Sequence, residues 1–136
     1  MGKSVSLSDV ERKIMKYIWS CEEPVMVSDI IEYFGREYRK QYAASTVNTM
    51  LQRLISKGYV AQGEKYIAFS GYTYHWIISE EEYRRQQLSR CREMDFDGST
   101  GDLIVALLET QEISRQERQR IQECIDQIKE KEGRGG

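Results

Sequence analysis

The sequence predicts a mostly α-helical protein with one small β-hairpin, and three observations carry that expectation. Apolar residues recur near a 3.6-residue period through the first part of the chain and again past position 100. After Gly58 the period changes to aromatic and β-branched runs, with six of the 14 aromatic residues falling between 59 and 76. Serines also stand where helices should begin, at Ser8, Ser28, Ser79 and Ser114. A chain of 136 residues allows one compact domain or two small ones, and an apolar content of 40% supports a small core of the kind a partner subunit often completes.

The elements follow in order. Ser8 or Asp9 caps a first helix whose apolar positions are Val10, Ile14, Met15, Tyr17, Ile18 and Trp19, and Cys21-Glu22-Glu23-Pro24 ends it. A second helix starts near Val27-Ser28-Asp29, with Ser28 as its candidate cap, and frays into the basic stretch Gly35 to Lys40. A third covers about Ala44 to Lys57 and ends at Lys57-Gly58, a cation facing the helix dipole followed by a residue able to turn left-handed. Tyr59–Ala61, Tyr66–Phe69 and Tyr72–Ile78 read as extended stretches, punctuated by Gly63 and Gly71. Ser79 and Glu82 form a capping box for a polar helix to about Met94. A loop over Asp95–Gly101, a short apolar helix at Leu103–Leu108 and a last helix capped by Ser114 complete the chain. Three helices, a hairpin and three more helices make the pattern of a winged helix-turn-helix with a helical appendage. The expected division is a winged-helix domain over 1–79 and a helical dimerisation domain over 80–136, with a disordered tail at Gly133–Gly136.

Composition excludes several classes. There is no apolar run of about 18 residues and no signal-peptide stretch after Met1, so no membrane span is expected and the cytoplasm is the default location. Cys21, Cys91 and Cys124 are odd in number and far apart, which speaks against a disulfide framework and a zinc site. His75 is the only histidine and sits in an apolar run, where a strand residue is the expected role. With no acid pair, no nucleophile beside a base and no phosphate loop, neither an enzyme, nor a cofactor, nor a metal site is expected. Net charge is -2, yet residues 36–65 hold six basic side chains (Arg36, Arg39, Lys40, Arg53, Lys57, Lys65) against two acidic ones (Glu37, Glu64).

The third helix concentrates the functional signal. On a wheel of 100° per residue, Val47, Met50, Leu51, Leu54 and Ile55 share the core side. Ser45, Thr49, Gln52 and Ser56 lie opposite, flanked by Thr46, Asn48 and Arg53, and this outer face has no acid. Base edges in a major groove offer mixed donors and acceptors, and Asn48, Thr49, Gln52 and Arg53 are of the types that pair with them. Ser45, Thr46 and Lys57, together with the free amides near Ala43 and Ala44, suit phosphate. Arg39 and Lys40 precede the helix, and Lys65 stands near the hairpin turn, with Tyr66 or Tyr72 as further phosphate donors. The competing reading is an ordinary solvated helix face. In the C-terminal half, the stripes Leu103, Ile104, Leu107, Leu108 and Ile121, Ile125, Ile128 need burial, either against the winged domain or in a twofold dimer that offers two reading helices to a palindrome.

These residues resemble the penicillinase-repressor family, which includes β-lactamase and methicillin-resistance repressors and related copper-responsive repressors. The matching signs are Leu7-Ser8-Asp9-Val10-Glu11, Ile14-Met15 and Ile18-Trp19, then Ala44 through Leu54 with Lys57-Gly58-Tyr59, then Ser79-Glu80-Glu81-Glu82-Tyr83, and Gly98-Ser99 ahead of Leu103. The resemblance implies a homodimeric repressor of resistance genes on an inverted-repeat operator. In the β-lactam branch it also implies a membrane sensor-protease that triggers a cut in the dimer helix. The pair matching the family's Asn-Phe cleavage bond is Ala106-Leu107. The family's Ser-Pro-Lys-Thr start is replaced by Ala43-Ala44-Ser45-Thr46, and the paired C-x-C motifs of the copper branch are absent. A repressor is thus expected, with a winged-helix protein-interaction module that does not read DNA as the alternative.

Overall fold

The structure is a computed structural model that describes residues 6–66 and 71–135. It contains α1 (Asp9–Ser20), α2 (Val27–Tyr38), α3 (Ala44–Ser56), β1 (Val60–Tyr66), β2 (Gly71–Trp76), α4 (Glu80–Asp95), α5 (Thr100–Thr110) and α6 (Arg115–Gly135). The chain forms two compact units, Met1–Ser89 and Arg90–Gly136. Three helices followed by an antiparallel hairpin make the first a winged helix-turn-helix, and the remainder is helical.

In the first unit α1 starts on a purely local signal. Ser8 Oγ accepts from the Glu11 amide at 3.1 Å while Glu11 Oε1 accepts from the Ser8 amide at 2.8 Å, the reciprocal capping box. α2 begins earlier than Ser28 allows. Its N-cap is Met26, which has no capping side chain; the Met26 amide donates to Asp29 Oδ2 at 2.8 Å, so the carboxylate three residues on ties the helix start together. Val25 explains the shift. It exchanges two backbone hydrogen bonds with Tyr74, at 2.9 and 2.8 Å, which fixes the chain as extended before α2. α2 does not fray at Gly35 but continues to Tyr38. It closes on Arg39 in the left-handed region (φ 51°, ψ 38°), with the Lys40 amide reaching back to the Phe34 carbonyl at 3.1 Å.

The hairpin pairs Val60 with Trp76, Ala61 with His75, Gln62 with Tyr74 and Lys65 with Tyr72, with a register shift between Gln62 and Lys65. Gly63, expected to interrupt the extended run, lies inside β1 at this irregularity, where an added Cβ would stand 2.5 Å from Thr73 Oγ1. Residues 67–69 of the expected second extended stretch fall outside the described residues. The core joins α1, α2, α3 and the hairpin through Ile14, Met15, Ile18, Val25, Ile30, Phe34, Val47, Leu51, Leu54, Tyr59, Val60 and Tyr74. Burying each such side chain contributes about 1.5–3 kcal/mol. Tyr59 and Tyr74 pack under the helices as expected of wing aromatics, whereas Tyr72 and Trp76 remain exposed.

The second unit is different in kind. Ser99 Oγ accepts from the Asp102 amide at 3.0 Å to start α5, and Ser114 Oγ accepts from the Glu117 amide at 3.1 Å to start α6. Asp97 and Gly98 turn left-handed in the loop before α5. Among the described residues no side chain of this unit is buried. α6 runs through Gly133, Arg134 and Gly135, where an irregular tail was expected.

Candidate nucleic-acid interface

The rotation of α3 is set by three side chains of zero exposure, Val47, Leu51 and Leu54. With these anchored, Met50 and Ile55 pack at the edge of the core, and Ser45, Thr46, Asn48, Thr49, Gln52, Arg53 and Ser56 are exposed. The structure therefore brings together six of the predicted contacts on one helix surface. No acidic residue lies in the helix's first turn. Thr49 Oγ1 donates to the Ser45 carbonyl at 3.0 Å, so its hydroxyl proton is held by the helix itself. Thr49 then presents an acceptor oxygen and a methyl group, a pairing suited to base edges including the thymine methyl. At the start of α3 the N-cap is Ala43, which has no side-chain acceptor to occupy the first amides.

Electrostatics sharpen the picture. The described residues of the first unit include eleven lysines and arginines. Arg12, Lys13, Lys16, Arg36, Lys57, Arg84 and Arg85 each pair with a carboxylate within 4.0 Å. The four without such a partner among the described residues are Arg39, Lys40, Arg53 and Lys65, and all four are predicted contacts. Arg39 and Lys40 precede α3, Arg53 is on it, and Lys65 is on β1 opposite Tyr72, its ammonium 5.9 Å from that ring. Lys40 lies 5.9 Å from the Tyr42 ring. Salt bridging consumes cationic charge, so an unpaired cation at a shared surface is the kind that a polyanion finds.

Lys57 is set apart from this group. Its ammonium donates to Glu11 Oε1 at 2.6 Å and to the Ser6 carbonyl at 3.1 Å. Glu11 is 2% exposed and is the buried charged residue of the core. Burial by itself would raise the Glu11 pKa, but the hydrogen bond from Lys57 and the Ser8 amide outweigh it and hold the carboxyl below its ordinary value. Sequence reasoning missed Glu11 as anything but a helix residue. The Ser8-x-x-Glu11 spacing could have shown the cap, though not the partner 46 positions away.

The predicted apolar stripes of α5 and α6 are open in the single chain. Ile104, Leu107, Leu108, Ile125 and Ile128 are exposed, by 54% in the case of Ile128, while Leu103, Ala106 and Ile121 are half-buried. Val105, which was not among them, is exposed too. Among the described residues there is no metal-binding cluster and no helix long and apolar enough to cross a membrane.

A hairpin wing beside an exposed, acid-free third helix defines a winged helix-turn-helix protein. The penicillinase repressor family profile matches residues 7–127. The chain belongs to that family. Relatives include the "Transcriptional regulator BlaI" of two Mycobacterium tuberculosis strains, each 40% identical over 62 residues, which is 46% of this chain and 44% of theirs. The matched segment thus spans less than half the length of those relatives. The "Penicillinase repressor" of Bacillus licheniformis is 23% identical over 129 residues, 95% of this chain and 96% of that one. These relatives are named as regulators, not as enzymes.

Proposed function

We propose that the chain is a transcriptional repressor that binds an inverted-repeat operator in double-stranded DNA as a homodimer. The observation that carries this reading is α3's exposed, acid-free face, with Arg53 on it, Arg39 and Lys40 just before it in the chain and Lys65 on the hairpin, all four without a carboxylate partner among the described residues. In this reading Asn48, Thr49, Gln52 and Arg53 meet base edges in the major groove. Ser45, Thr46, Arg39, Lys40 and the first amides of α3 meet phosphates, and Lys65 carries the wing to the backbone. Lys57 leaves the contact set and holds the helix from behind.

The dimer would form through the stripes of α5 and α6. A unit with no buried side chain among its described residues shows no core of its own, and a second copy would supply the apolar surface that Leu103, Ile104, Leu107, Leu108, Ile121, Ile125 and Ile128 lack. Family membership and the names of the relatives support control of β-lactam-resistance or related genes. Relief then follows from loss of the dimer, since each freed monomer keeps half the phosphate contacts. A membrane sensor-protease cutting near Ala106-Leu107 is one route to that loss.

Footprinting with sedimentation tests the proposal. Protection of an inverted repeat by a species of twice the chain mass is expected. If the chain sediments as a single subunit and binds no duplex, the alternative of a protein-interaction module takes its place. Steep weakening with added salt separates the two, because an apolar protein contact releases no counterions.

A further inference from the structure

The first unit carries a second surface feature beside α3. Val10, Lys13, Phe34, Tyr38, Lys40 and Tyr42 line an open cavity of about 290 Å³. Phe34 is buried, and its ring is flanked by Tyr38 at 5.4 Å and Tyr42 at 5.2 Å between centroids. Each outer ring has a cation against it: Lys13 Nζ lies 4.6 Å from the Tyr38 centroid and Lys40 Nζ 5.9 Å from that of Tyr42. No carboxylate is among the lining residues. Asp9, which reaches Lys13 at 3.3 Å, is not part of the wall, and Lys40 has no acidic partner among the described residues.

We infer that this cavity is a binding site for a small planar carboxylate, an aromatic acid of about the size of benzoate. The volume, about 290 Å³, lies just under the roughly 300–1,000 Å³ of small-molecule pockets, so one ring with a short polar group fills it. Contiguous aromatic side chains supply faces and edges for that ring. Lys40, with no acidic partner among the described residues, supplies the charge that its carboxylate neutralises, and Lys13, shared with Asp9, adds a second donor. A bare phosphate would use the lysines and leave the rings without a partner, and a neutral apolar molecule would do the reverse. The cavity ends at Tyr42, one residue before the Ala43 cap of α3.

Titration of the DNA-free full chain, followed by amide chemical shifts, tests this inference with benzoate as the probe. Benzyl alcohol and inorganic phosphate are run in parallel at fixed ionic strength. Benzoate should give saturable shifts at Lys13, Phe34, Tyr38, Lys40 and Tyr42. Benzyl alcohol should bind about tenfold or more weakly, and Lys13→Gln and Lys40→Gln should each weaken benzoate by a similar factor. Both variants alter surface lysines, and their amide spectra report folding directly. Shifts that do not saturate, benzoate binding indifferent to both substitutions, or phosphate shifts equal to those of benzoate would overturn it. The last result would make the cavity a simple anion contact of the kind a DNA backbone uses. Because no DNA is present, failure here leaves the reading of α3 standing.

Discussion

Lys57 Nζ sits 2.6 Å from Glu11 Oε1, joining the C-cap of the third helix to the first turn of the first helix across 46 positions of sequence. The same carboxylate oxygen accepts the Ser8 amide, so one buried group both starts α1 and anchors the end of α3. The pair fixes the helix whose outer face is proposed to meet DNA, and it does so from the protected side.

Glu11→Gln should therefore destabilise the fold by about 2–3 kcal/mol, less than the loss of a fully buried pair because Lys57 still reaches solvent. The folded-state pKa of Glu11 is lowered from the ordinary 4.5. A depressed carboxyl contributes stability that is present above the unfolded value and is lost as pH falls through the folded one. Thermal unfolding below pH 4.5 should accordingly show a steeper loss for the parent than for the glutamine variant. Parallel curves would remove the pair from the stability balance.

Arg53→Ala should weaken binding to a specific duplex by about 1–3 kcal/mol if its guanidinium reads a base, without changing the melting temperature. Arg53 is exposed and has no carboxylate partner among the described residues, so its removal costs no internal contact. A gel-shift titration that moves by less than a factor of two would take it out of the reading set.

Lys65→Ala should act on salt dependence more than on specificity. Removing one phosphate contact per subunit lowers the slope of log affinity against log salt by about 1 for each site lost. An unaltered slope would leave the wing without a role in DNA contact.

Leu107→Asp places a charge within an apolar stripe, at a side chain that is 49% exposed in the single chain. In a dimer that charge is buried without a partner, and the species should shift to the mass of one subunit by light scattering. A retained dimer would mean that α5 is not the contact.

Gly63→Ala should cost about 1 kcal/mol in thermal unfolding, since the new methyl meets Thr73 Oγ1 at 2.5 Å and that hydroxyl already donates to the Glu64 carbonyl at 3.3 Å. Combining it with Thr73→Ala should recover part of the loss. No recovery would place the cost in the backbone of the register shift instead.

Much of this architecture was legible in advance because its causes are local. The cap of α1, the Lys57-Gly58 ending, the Ser79 and Ser114 regions and the core side of α3 all depend on groups within about four residues of each other. α2 starts at Val27 as expected, but its cap is Met26 rather than Ser28, because a strand contact, Val25 with Tyr74, holds the chain extended just before it. Arg39 in the left-handed region carried no warning, since the nearest glycine is Gly35, inside the helix.

The sequence by itself determined the order of helices and hairpin, and it determined that α3 would be greasy on one side and acid-free on the other. Only the tertiary structure decided which cations are consumed internally and which are left outside. A helical wheel ranks Lys57 and Arg53 alike, as basic residues near one helix end. The fold separates them, because a buried carboxylate from α1 captures one ammonium, while among the described residues no carboxylate pairs with the guanidinium. Periodicity is written along the chain, whereas charge pairing over long separations exists only once the chain has closed on itself.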